Sequence, residues 1–366
     1  MEAQAQEILQ DVVFVILYDG VIMLNVVAAL YLLLRRGNAI APEVSSPVRL
    51  RRWAAAFQMA SALSHLFWLF YVYHPSPSLY ILVCSLDLLM LLPTMAGILL
   101  SMMQDRHRPV WPVLAALAPA LILLALCVFR GDDAFLIPVR IYLIVFYALL
   151  MLFIFFAVRR YGRWLRDNYA DLEHKEIWQS LLILTVFLLL FIVYSSTFNG
   201  GLVSSYLLQI DCIIIVALLL WRVETMQQLN EDDLSEEVPT DNVPKTSVPS
   251  AILAGIGPLL KKHCEDAQLY LQHDLTIAQV ARAIGTNRFY LSQHFAQQGL
   301  TYNAYINNLR VSHFIRLYHE AVAGKRVFTS QQLAFESGYR SYTTFSTAFK
   351  QYTGKTVRAW THDAQE

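Results

Sequence analysis

Seven stretches of about 20 mostly apolar residues fill the first 222 positions of the chain, and few folds can absorb them. They run over Val12–Leu34, Trp53–Tyr73, Leu79–Leu100, Val110–Phe129, Ile137–Val158, Trp178–Ser196 and Leu202–Trp221. As a helix, each is long enough to cross a hydrocarbon layer roughly 30 Å thick. The first is preceded by Glu2, Glu7 and Asp11 rather than by a basic segment, so it reads as a true span and not as a signal peptide. Loop charge separates a membrane bundle from a buried soluble one. Arg35, Arg36, Arg49, Arg51 and Arg52 follow the first run, Arg106 and Arg108 the third, and Arg159, Arg160, Arg163, Arg166 and Lys175 the fifth, whereas the alternate loops hold Arg130 alone. Basic loops stay cytoplasmic, so the N-terminus is expected outside and everything after Trp221 inside.

The net charge of zero conceals three unlike parts. Residues 1–222 are apolar, with 15 Lys+Arg and 14 Asp+Glu; residues 223–250 carry 1 and 7; residues 251–366 carry 12 and 7. The middle part, with Pro239, Pro244 and Pro249, reads as an extended acidic tether. Of the four cysteines, Cys84, Cys127 and Cys212 sit in apolar runs and Cys264 stands alone, which excludes a disulfide scaffold and a Cys-based metal site. HExxH, GxSxG and GxxxxGK[ST] are all missing, so no enzymatic activity, cofactor or metal is expected.

Ionisable groups inside spans are costly and mark candidate sites. Asp19, His65, Asp87 and Asp211 all fall seven to nine residues from the outer ends of their spans, about 10–14 Å deep, and Arg140 lies nearer its outer end. They form a candidate pocket for a signal or ligand, with Trp68, Tyr142, Tyr194, Tyr206 and Gln209 as walls. The competing reading is a set of interhelical hydrogen bonds that hold the bundle together.

From Ile252 the pattern changes to short amphipathic helices. Thr276 caps a helix carrying Ile277, Val280, Ala281 and Ile284, Gly285 ends it, and Asn287 starts a second helix with Leu291 and Phe295 inward. A small residue at the helix contact and Gly at the tight turn are the grammar of a helix-turn-helix. The phrase returns 53 residues later as Thr329, Leu333, Ala334 and Gly338, then, with one residue added, Phe345 and Phe349. A long helix, Asn303–Ala323, joins the two.

Two such units on one long helix, with LAFESGYRSYTTFSTAFKQYTGKTV at the second, closely resemble the AraC/XylS-type DNA-binding domain over roughly the last 110 residues. Ala334, Ser337, Gly338, Tyr339, Phe345, Phe349, Lys350 and Gly354 carry the resemblance; Val357, in place of the family's usual Pro, and Phe314, in place of its usual Ala, depart from it. Together, the seven apolar runs and the resemblance lead to the expectation of an all-α chain: the runs give a seven-helix transmembrane bundle, and the resemblance gives a cytoplasmic domain with two helix-turn-helix units behind it. The resemblance also implies double-stranded DNA as partner, read in two successive major grooves by Arg288, Phe289, Tyr290, Ser292 and Gln293 of one helix and Tyr342, Thr343, Thr344, Ser346 and Thr347 of the other. Arg340, Lys350, Lys355 and Arg310 are expected beside phosphates.

The function this implies is a transcription regulator in the bacterial inner membrane, coupling a membrane or extracytoplasmic signal to promoter binding. Two alternatives are a transporter or channel with a regulatory DNA-binding domain, and a regulator sequestered in the lipid bilayer until its tether is cut. A homodimer is compatible with the sequence, although the tether has no sustained heptad and one domain already carries two reading helices.

Overall fold

The computed structural model describes residues 10–35, 37–42, 44–131, 134–196, 201–229 and 250–364. The expected acidic tether therefore lies, from Asn230 to Pro249, outside the described residues. Among the described residues the chain is helical, the one extended pairing being an isolated antiparallel bridge between Tyr169 and Thr276. It divides into two compact units: residues 1–161 with 177–229, and residues 162–176 with 230–366.

The first unit contains α1 (Val12–Leu34), α2 (Val48–Tyr73), α3 (Pro77–Met102), α4 (Trp111–Arg130), α5 (Leu136–Asn168), α6 (Trp178–Ser196) and α7 (Gly201–Thr225), with the end of α5 passing into the second unit. Polar caps set the starts: Asp11 accepts the Phe14 amide and Ser76 the Leu79 amide, while Gly131 closes α4 in the left-handed conformation. Consecutive helices α1 to α4 pack in sequence, and α7 returns against α1, α2 and α6. Six of the described helices are long and apolar enough to cross a membrane. The expected sixth span is also a helix, α6, with its side chains from Phe191 onward outside the described residues.

Helix α5 differs most from expectation. It continues ten residues past Val158 to Asn168, giving 33 residues and a length of about 50 Å against a hydrocarbon layer of roughly 30 Å. Only 11% of its apolar window is buried, and Ile141, Ile144, Leu149, Phe153 and Phe156 stand exposed. Water does not tolerate so long an apolar face, but lipid does. Helix α7 stops at Thr225 rather than running on; Gln228 then donates its amide to the Ser45 carbonyl, and Gln104 holds both the Gln227 carbonyl and the Leu229 amide.

The second unit has two cores threaded by one helix. Helices α8 (Ser250–Leu260), α9 (Ile277–Ala283) and α10 (Arg288–Gln297) enclose the first with Tyr302 and Ile306 from the front of α11 (Tyr302–Ala323). Helices α12 (Ser330–Glu336), α13 (Tyr342–Thr353) and α14 (Val357–Asp363) enclose the second with Val311, Phe314 and Tyr318 from its rear. The two residues that depart from the family pattern are both used here: Val357 is buried, and the Phe314 ring lies 4.4 Å from that of Phe345 and 5.5 Å from that of Phe349. Cys264 sits in the first core with its thiol pushed up to about 12 by burial, which leaves it protonated and unreactive.

Candidate nucleic-acid interface and the polar layer of the bundle

The internal repeat becomes a repeated turn. Thr276 and Thr329 cap α9 and α12 by accepting the Gln279 and Gln332 amides. Each helix closes with the same pair of bonds: Thr286 N to Ala281 O and Gly285 N to Arg282 O in the first unit, Tyr339 N to Ala334 O and Gly338 N to Phe335 O in the second. Both glycines have positive φ, +74° and +90°, as this helix-ending motif requires. Asn287 and Ser341 then cap α10 and α13 on the Tyr290 and Thr344 amides, so the residue added after Gly338 falls in the turn and leaves the geometry of the second helix intact.

Burial fixes which faces point outward. Leu291, His294 and Phe295 of α10 turn inward; Gln293 is exposed, and Arg288, Phe289, Tyr290 and Ser292 are half-buried, with the Tyr290 ring packed on the first core. On α13, Phe345, Ala348 and Phe349 turn inward while Tyr342, Thr343, Thr347 and Lys350 are exposed and Thr344 and Ser346 half-buried. Thr347 donates its hydroxyl to the Thr343 carbonyl, which leaves its methyl as the outward group. Arg340 is exposed yet paired with Asp274 at 2.6 Å, and Lys355 with Asp363 at 2.7 Å.

Arg310 corrects the sequence reading. It was expected beside a phosphate, but it is fully buried and cannot reach one. Its Nε donates to the Tyr270 carbonyl at 2.7 Å, one terminal nitrogen to Asp171 at 2.6 Å, and the other to the Gln272 carbonyl at 2.8 Å and to Asp171 at 3.3 Å. The guanidinium also lies over the Tyr339 ring, 5.4 Å from its centroid. Asp171, Glu173 and Asp274 drew no attention in the sequence, since a short acidic loop 139 residues upstream gives no sign of pairing with this helix.

The structure divides the polar layer of the bundle. His65 and Asp87 face inward: His65 Nδ1 donates to the Ser61 carbonyl at 2.8 Å, Tyr18 donates to the His65 carbonyl at 2.7 Å, and Trp68 Nε1 donates to Asp87 at 2.6 Å. The proton on Nδ1 leaves His65 Nε2 as an acceptor, 4.0 Å from Cys212 Sγ. Asp211 is half-buried and Gln209 buried, whereas Asp19 and Arg140 are exposed. Of the expected walls, Trp68 contacts Asp87, Tyr142 donates to the Ala116 carbonyl at 2.5 Å, the Tyr206 ring packs on Phe14 at 5.3 Å, and Tyr194 lies outside the described side chains.

Residues 280–363 match the family model described as a helix-turn-helix domain. No curated protein and no solved structure matches the chain.

Proposed function

We propose that this chain, whose C-terminal domain belongs to the AraC-type helix-turn-helix family, is a sequence-specific transcription regulator of the bacterial inner membrane that couples a membrane or extracytoplasmic signal to promoter binding. The observation that carries the reading is the pair of equivalent turns: two short helices with the same caps and the same closing bonds, each backed by its own core, presenting α10 and α13 outward. On DNA, Arg288 and Gln293 make bidentate contacts to base edges, the Thr343 and Thr347 methyls and Tyr342 pack on thymine methyls, and Arg340 and Lys350 hold phosphates. Phe289, Tyr290, Ser292, Thr344 and Ser346 complete the two surfaces. With no Arg, Asn or Gln among Tyr342, Thr343, Thr344, Ser346 and Thr347, the reading face of α13 leans on shape and methyl contacts more than that of α10 does. Residues 1–222 form the sensing domain, 223–250 the tether and 251–366 the DNA-binding domain. The signal acts at the outer half of the bundle, where His65, Asp87 and Asp211 are the inward groups and Asp19 and Arg140 flank them.

The test is genome-wide crosslinking of the full-length protein to DNA in cells, with an immunoblot that reports the chain's length. Discrete promoter peaks from intact, membrane-fractionated protein are expected. Peaks from a cleaved fragment alone would refute regulation from the membrane, and the absence of peaks would refute the DNA reading.

A further inference from the structure

The connection between α5 and α6 starts and ends in apolar helices of the first unit, yet residues 162–176 belong to the same compact unit as residues 230–366. Its core piece is Tyr169–Lys175. Ala170 donates its amide to the Leu275 carbonyl at 3.0 Å and is buried in the first core, and Asn303 of α11 donates to the Ala170 and Tyr169 carbonyls at 2.5 and 3.3 Å. Asp171 is the anion that matches the buried Arg310, and its second oxygen also takes the Asp274 amide at 2.7 Å. Lys175, only 2% exposed, closes the far end on Asp274 at 3.0 Å. Contacts thus reach the first helix-turn-helix, the long helix between the units and, through Asp274 to Arg340 and Glu173 to Thr344, the second.

A segment with a buried, fully bonded carboxylate is not a loop resting on a surface. If the loop leaves, Arg310 keeps only its two carbonyl bonds and loses its counter-charge, and the Asp274 amide loses its acceptor; a guanidinium without a counter-charge inside a protein is among the costliest vacancies a fold can hold. The surface of the domain that Asn303, Arg310 and Leu275 form is therefore complementary to one particular partner, an acidic stretch of this same chain. We infer that the α5–α6 loop is a docking segment that attaches the DNA-binding domain to the membrane part non-covalently, as a second attachment independent of the peptide tether at residues 230–249. Cutting the tether then leaves the domain in place. Residues 251–366 alone lack a structural component of the folded unit.

The experiment uses the full chain in membrane vesicles with a site-specific protease sequence substituted within residues 236–243. After cleavage, the vesicles are sedimented and the C-terminal domain is quantified in pellet and supernatant; no step involves DNA, so this inference can fail while the regulatory reading stands, and the reverse. The parent domain is expected to sediment with the vesicles although its peptide link is cut. Asp171→Asn, which keeps the shape and removes the charge, is expected to lower the bound-to-free ratio at least tenfold. Asn303→Ala removes two hydrogen bonds from the opposite side and leaves the ion pair, with partial release expected. Release of the parent domain on cutting, or retention of both variants at the parental level, overturns the inference. Should limited proteolysis find the Asp171→Asn domain unfolded, Asn303→Ala decides: parental retention in that variant overturns the docking, and release supports it.

Discussion

The two turn glycines are equivalent in the repeat, and replacing each with alanine separates what the sequence predicts from what the packing predicts. Gly285 and Gly338 both hold positive φ, a conformation that costs an L residue about 1–2 kcal/mol. At Gly285 that is the whole penalty, because a Cβ there meets nothing within 4 Å. At Gly338 the Cβ falls 2.9 Å from both the Cα and the carbonyl oxygen of Leu271 and 3.1 Å from Arg310 Nε. Those neighbours are main chain and a buried, bonded guanidinium, so neither yields cheaply; overpacking of this kind adds about 1–3 kcal/mol. Gly285→Ala is therefore expected to cost about 1–2 kcal/mol and Gly338→Ala about 2–5 kcal/mol. Hydrogen exchange by mass spectrometry on the full-length protein reads the opening free energy of each helix-turn-helix separately, which a single melting curve of a two-unit chain does not. Since 1.4 kcal/mol is a factor of ten, the first variant should speed exchange in α9–α10 by roughly 5- to 30-fold and the second should speed exchange in α12–α13 by roughly 30- to several-thousand-fold. Equal effects from the two variants would refute the close approach of Gly338 to Leu271, and with it the packing around Arg310.

Four further outcomes are expected. Burial, followed by the Arg316 charge, lowers the pKa of His313 below its usual value of about 6.5; the unfolded chain then takes the proton first, so this contribution to stability is complete above that pH and lost as pH falls through the lowered value, and His313→Gln, which can still accept the bond that Tyr270 donates, should flatten the decline in an acid unfolding series. Gln293→Ala in the full-length protein should lose about 1–3 kcal/mol of discrimination at one base pair while leaving binding to unrelated DNA unchanged, as read by a binding-site selection. Glu173→Gln removes a carboxylate from the hydroxyl of Thr344, 3.2 Å away, and should tighten promoter binding roughly fivefold at low salt in a mobility-shift titration; unchanged affinity would mean that Thr344 is not on the DNA face. Asp87→Asn keeps the bond from Trp68 Nε1 but removes the charge, and should abolish the regulatory response in a reporter strain at unchanged protein level; an intact response would assign this carboxylate to bundle packing alone.

What could be read from the chain and what could not divide along one physical line. The apolar helices and the two helix-turn-helix units with their caps depend on residues within a few turns of each other, so hydropathy, periodicity, capping residues and glycines located them. The end of α5 was missed because hydropathy stops at Arg159 while Arg, Trp and Leu remain good helix formers as far as Asn168. In the polar layer depth was legible, since rise per residue is fixed, but rotation was not, since none of these helices has a strong polar face: His65 and Asp87 turn inward, whereas Asp19 and Arg140 are exposed. Arg310 was misread for a related reason. An arginine on a helix in a basic domain is usually solvated, and only the fold brings Asp171 to it.

The same contact makes the repeat unequal. By sequence the two helix-turn-helix units are near copies, and the first helix of each closes with the same pair of bonds. The first reading helix, α10, is tied to its own unit, with His294 Nδ1 donating to the Leu253 carbonyl of α8 at 3.2 Å. The second is tied to the α5–α6 loop: Thr344 donates to Glu173, and Arg340 shares Asp274 with Lys175 of that loop. The Arg340–Asp274 pair is partly exposed, so it exchanges partners at small cost, while the Arg310–Asp171 pair and the Lys175 ammonium beneath it are buried and do not. The loop therefore meets α13 through side-chain bonds near its surface and α10 through the apolar packing of Ala170 in the first core. On the proposed reading, base contacts are concentrated on α10 through Arg288 and Gln293, whereas α13 presents threonines and an exposed tyrosine, and Arg340 just before it is already paired with Asp274. Under that division the first unit selects the site and the second sets how long the protein stays on it, and the expected effect of a signal carried through the loop is a changed dissociation rate with unchanged sequence preference. Dissociation kinetics on one promoter, with and without Glu173→Gln, would expose the flaw if the change appeared in sequence selection instead.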